Sequence, residues 1–130
     1  MSFEWHKFLE FADTVCKKAT DFPDAEAVYR TATSRAYYAA YCEARNFVAK
    51  KDRQTFHSNA HQQLQDYLIT HQHPDRQKLG RHLKALHQFR LKADYEGELS
   101  ELPVNLANQA IAWAKKIIEV DLPPLTGKKI

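Results

Sequence analysis

Apolar side chains return every three or four residues in one segment of this chain after another, and that spacing suits helices that each bury one face. Trp5, Phe8, Leu9, Ala12, Val15, Cys16 and Ala19 set the pattern for a first helix over about residues 3–20. Asp21-Phe-Pro-Asp24 then supplies a cap residue, a proline fit for a first turn and acids for the positive end of the helix dipole. A second helix therefore runs from here to about Lys50, with Val28, Ala32, Ala36, Ala39, Ala40 and Phe47 spread so widely around it that it is expected to be central. The polar run KKDRQT precedes a third helix, about Ser58 to His71, whose inner stripe is Ala60, Leu64, Tyr67 and Leu68. Pro74 and Asp75 open a fourth, with Leu79, Leu83, Leu86 and Ala93 on one face and an end near Tyr95-Glu96-Gly97. After EGELSELP, a fifth shows Val104, Ala107, Ile111, Ala114 and Ile118. Three glycines and five prolines in 130 residues are too few for a turn-dense all-β design. The expected fold is all-α: an antiparallel, up-and-down bundle of about five helices.

The chain has no internal repeat or linker, so residues 1–122 are expected to form a single domain, with 123–130 a flexible tail because DLPPLTGKKI carries two prolines and no periodicity. Ala36 to Cys42 is the longest apolar run, against the roughly 20 residues a membrane helix needs. The opening MSFEWHKFLE lacks the basic start and apolar stretch of an export signal. Two cysteines, Cys16 and Cys42, make neither a disulfide framework nor a metal-binding pair, which suits a reducing cytoplasm. A net charge of +3 is too mild to establish nucleic-acid binding by itself. Three glycines can hardly supply a phosphate-cradling loop, a hydrolase elbow or a dinucleotide fingerprint, and those enzyme classes are set aside.

The residues that invite chemistry lie on the second and fourth helices. With Leu79 taken as zero, Arg90 falls at about 20° on the helical wheel, inside the apolar stripe. A guanidinium there needs a partner, since an unpaired buried charge costs several kcal/mol, and Asp94 lies one turn on. The pair is either an internal ion pair fixing the helix or part of a functional groove. Arg81, Lys84 and Lys92 fall on the opposite face, either as solvated surface or as phosphate contacts. Ser34, Tyr38, Tyr41 and Arg45 line one side of the second helix, with Arg35 beside them, either bonding across a seam or bordering a ligand groove. Six of the seven histidines lie between residues 57 and 87. No carboxylate or cysteine joins them at a ligand interval, so a mixture of core and surface histidines is expected and no metal. His57 and His61 share the face of Leu64 and Leu68 and so are candidates for the border of Arg90's groove.

Ser34-Arg-Ala-Tyr-Tyr-Ala-Ala-Tyr41, a histidine at His57 and Arg90-Leu-Lys-Ala-Asp-Tyr95 together resemble a HEPN (higher eukaryotes and prokaryotes nucleotide-binding) domain, of the small stand-alone prokaryotic kind, over about residues 5–120. The resemblance implies a helical bundle that dimerises with a groove at the seam. Such members occur as toxins paired with nucleotidyltransferase antitoxins, in phage defence, or as accessory modules, and many are metal-independent ribonucleases that need no cofactor. Carried onto this chain, it implies RNA or nucleotide binding by Ser34, Arg35, Tyr38, Arg90, Asp94 and Tyr95. If RNA is cleaved, Arg90 and His57 are the expected catalytic residues. The ribonucleases place a histidine four to six residues after the arginine. Here Asp94 and Tyr95 stand where that histidine is expected, and Arg76 to His82 and Arg81 to His87 match it only literally. An interaction protein working beside a catalytic partner is the alternative.

Overall fold

The computed structural model describes residues 2–127, and among them there is no strand. The elements run α1 (His6–Lys17), a 3-10 turn (Ala19–Asp21), α2 (Ala25–Asp52), α3 (Ala60–Ile69), α4 (Pro74–Tyr95), α5 (Pro103–Lys116), a π-helical segment (Ile117–Asp121) and α6 (Leu122–Thr126). The all-α bundle is as expected, and among the described residues no helix is long and apolar enough to cross a membrane.

α2 is the axis. Its 28 residues span about 42 Å, and α1, α4 and α5 all pack on it. Ala32, Ala36, Ala39, Ala40 and Ala44 have no exposed surface, and these small side chains let three neighbours approach from different sides. Asp24 is the N-cap, its carboxylate accepting from the Ala27 amide at 3.1 Å, so Pro23 precedes the helix. The far end closes on Arg53 in the left-handed region at φ 57°.

α3 and α4 cross closely at Gly80, where a Cβ would stand 2.8 Å from Ile69 Cγ1 and 2.9 Å from the Ile69 amide nitrogen. α4 starts with Pro74 in its first turn, and His73 Nδ1 accepts from the Asp75 amide at 3.2 Å. At its other end, Arg30 of α2 donates to the carbonyls of Ala93 (3.0 Å) and Glu96 (2.6 Å), while Glu26 holds the guanidinium at 2.8 Å. Carbonyls that a helix end leaves without partners are thereby satisfied from another helix. Leu79, Leu83, Leu86 and Ala93 are buried as their spacing predicts, and Arg81 and Lys84 are exposed.

The C-terminal region departs from the sequence pattern. The spacing that selects Ile118 holds only to Ala114; the π segment adds a residue to the turn, leaving Ile117 fully buried and Ile118 partly so. It also turns Asp121 inward, where Oδ2 meets His82 Nδ1 at 2.5 Å. Residues 123–126 of the expected tail fall within α6, with Leu122 buried and Leu125 packed on the core. Pro123 is tolerated because first-turn amides have no helical partner. Residues 128–130 of the expected tail lie outside the described residues.

Candidate functional site

The polar stripe of α2 faces the C-terminal half of α4, and α3 closes one side. Arg90 Nε donates to Asp94 Oδ2 at 2.8 Å, and its Nη2 donates to the Tyr38 hydroxyl at 3.0 Å. Ser34 Oγ donates to the same Asp94 oxygen at 3.3 Å. The expected Arg90–Asp94 pair therefore exists and is tied to α2 at two points. Ser34 is buried, so its hydroxyl serves to hold Asp94 in place. Tyr95 is 72% exposed, with Arg90 5.6 Å from its ring centre.

Behind Arg90 lies a stack of aromatic rings and imidazoles. Tyr37 is fully buried, its ring 5.1 Å from His87 and 5.8 Å from Tyr41. His61 stacks on Tyr41 at 4.1 Å and on His87 at 5.4 Å. The Tyr37 hydroxyl lies 2.5 Å from His61 Nδ1, and Gln65 Nε2 lies 2.9 Å from His87 Nδ1. Burial, then the neighbouring His87 and the charges of Arg90 and Arg45, hold His61 down to about 4. Burial and then Arg90 lower His87. Burial pushes the Tyr37 hydroxyl far up. Both imidazoles are neutral at pH 7.

Two further guanidiniums, both from α2, lie over aromatic rings. Arg35 sits 4.8 Å from the Tyr38 ring centre and 5.0 Å from that of Phe8. Arg45 sits 5.8 Å from Tyr41 and 5.5 Å from Trp5, and also bonds Asn46 Oδ1 at 3.2 Å. Trp5 and Phe8 are in turn packed edge on at 5.6 Å, so the N-terminal segment supports these arginines. Among the described residues neither Arg35 nor Arg45 has a carboxylate partner, whereas Arg30, Arg76 and Arg90 each do. A guanidinium over a ring is attracted by the ring face and does not spend its N–H donors on a carboxylate.

Not every candidate from the sequence comes to this place. His57 is exposed on the α2–α3 connection, and its ring bonds Thr55 Oγ1 at 3.4 Å; His61, one turn later, is the histidine that joins the stack. Of the upstream arginine–histidine matches, Arg76 and His82 are engaged elsewhere and Arg81 is exposed, while His87 belongs to the stack beside Arg90. Arg76 forms a two-bond pair with Asp52, which also accepts from the Tyr67 hydroxyl, and His82 holds Asp121. Lys92 bonds Glu101 at 3.2 Å. His73 Nδ1 caps α4, and His71 Nδ1 accepts from the His73 amide. Sequence reasoning missed the supports: Tyr37, Gln65 and His87, and the use of Trp5 and Phe8 as rests for arginine. His87 falls about 80° from Leu79 on the wheel, at the stripe's edge, which was the available signal.

No curated protein and no solved structure matches the chain. The HEPN domain family does, over residues 5–123. That span includes every element from α1 to the π segment, and within it lie the Ser34–Tyr41 segment and the Arg90–Tyr95 segment that build the site. The chain thus belongs to the HEPN domain family.

Proposed function

We propose that this face of α2 and α4 binds RNA or a nucleotide, in a groove that a second copy of the chain completes. One observation carries the reading: Arg35 and Arg45 lie over aromatic rings with no carboxylate partner among the described residues, beside an Arg90 oriented by Asp94 and Tyr38. Guanidiniums that need no internal charge partner serve an external anion, and exposed rings such as Tyr95 offer a stacking surface to a base. In this reading Arg35 and Arg90 contact phosphate, Tyr38 and Asp94 orient Arg90, and Ser34 steadies Asp94. A place in a toxin–antitoxin or defence system, beside a nucleotidyltransferase, fits the family and supplies the chemistry this face lacks. Ribonuclease action ranks below binding, because His57 bonds Thr55 on the connection and Asp94-Tyr95 occupies the place of the family's histidine.

The test is titration of the protein with a labelled oligoribonucleotide and, separately, with ATP across a range of salt. Arg35→Met and Arg90→Met should each weaken binding about tenfold or more, and each should reduce the salt slope for the RNA strand by about 0.7. Unchanged affinity and slope in both variants would remove this face as the binding site.

A further inference from the structure

His61 and His87 are placed by hydrogen bonds that settle which ring nitrogen carries the proton. The Tyr37 hydroxyl is buried, and the contact with His61 Nδ1 is its hydrogen bond. Were Nδ1 protonated, the phenolic proton would be sealed in the core without an acceptor. Tyr37 therefore donates, Nδ1 accepts, and the His61 proton sits on Nε2. Gln65 Nε2 donates to His87 Nδ1 in the same sense, so His87 also carries its proton on Nε2.

Both Nε2 atoms reach the surface. Among the described residues, Asp121 Oδ1 is the buried side-chain nitrogen or oxygen left without a partner, and neither Nε2 has a hydrogen bond within the chain. The groups facing the two rings are Tyr37, Tyr38, Tyr41 and Arg45 of α2, Gln65 of α3 and Arg90 of α4. None is a carboxylate, so nothing at hand stabilises an imidazolium. We propose that His61 and His87 are ligand-binding residues that present two neighbouring Nε2–H groups, beside Arg90, to the acceptor oxygens of a phosphate or phosphodiester, and that neither moves a proton.

The inference rests on the reading of this face as a phosphate-binding one and assigns it two further contacts. The chemistry is one-sided. A neutral ring with Nε2–H donates a hydrogen bond well, as imidazoles held neutral elsewhere do. It has no lone pair at Nε2 to receive a proton from a ribose hydroxyl, and giving up its proton would leave an imidazolate. Base and acid roles are both closed while Tyr37 and Gln65 hold Nδ1.

Long-range proton–nitrogen correlation spectra of the 15N-labelled protein at pH 7 test this, with a short oligouridylate and ATP as the two probes. In the protein alone both rings should show Nε2–H and an accepting Nδ1. Added oligouridylate should shift both Nε2 signals together with the Arg90 guanidinium, leave Nδ1 nearly still, and remain uncut over the titration. An equal response to ATP would assign the site to a free nucleotide's phosphates, and a weaker one to a strand. His61→Phe, which keeps the stack on Tyr41, should weaken probe binding about tenfold. An Nδ1–H ring, Nε2 signals that stay still while Arg90 responds, or cleavage that is lost in His61→Phe would each overturn the inference alone. Should neither probe move Arg90 or either imidazole, the phosphate-binding reading falls, and this inference with it.

Discussion

At the level of single residues, the half-buried imidazoles make stability depend on pH in a calculable direction. His61 is held down to about 4 in the fold, while an imidazole in the unfolded chain titrates near 6.5. The unfolded chain thus takes up the proton first. The contribution of the neutral ring is complete above about pH 6.5 and is lost as pH falls toward 4, and His87 adds to it in the same direction. Asp52 has a separate window. Its bond to Arg76 lowers its carboxyl from 3.8, so that contribution persists until the pH drops below the unfolded value and through the folded one. The denaturation midpoint should be level above pH 6.5 and fall between 6.5 and 4, with a shallower fall in His61→Phe; equal slopes would refute the assignment. Of these residues, Arg90 and Asp94 were legible in the sequence, because a charge on an apolar stripe one turn from an opposite charge is a local pattern. The face of His61 was legible too, but the bonds that place His61 and His87 were not. Their partners Tyr37 and Gln65 lie 24 and 22 residues away, and no helical spacing reports such a distance.

Elements show the same division between local and distant causes. α4 begins at Pro74 and ends at Tyr95, where the proline and the Tyr95-Glu96-Gly97 signal put its ends. α3 is shorter than its pattern, and α5 passes into a π segment that brings Asp121 to His82, 39 residues earlier. The α3–α4 crossing is equally invisible to periodicity, yet it rests on one hydrogen atom at Gly80. Alanine there would gain about 1 kcal/mol in helix propensity. Its methyl would meet the Ile69 backbone nitrogen, which cannot rotate aside, and overpacking of this kind costs about 1–3 kcal/mol. Gly80→Ala should therefore lose about 1 kcal/mol in chemical denaturation, despite being a better helix former. A gain in stability would show that α3 can move away at little cost.

For the whole molecule, the bundle and its central helix follow from pattern alone, since α2 carries alanines and aromatics on nearly every side. The proposed composite groove would need more than one chain. Light scattering at micromolar concentration should report a dimer, and a monomer across that range would leave Arg90's face to act without a second copy. What the single chain does supply is a prepared end to α4. Arg30 reaches across from α2 to the carbonyls of Ala93 and Glu96, at the turn that carries Asp94 and Tyr95. A helix end normally frays, and ordering it costs about 1–2 kcal/mol per residue in backbone entropy. With the clasp in place that ordering is complete on folding, so a ligand bound as proposed would meet a preorganised surface and its affinity would not be reduced by having to organise one.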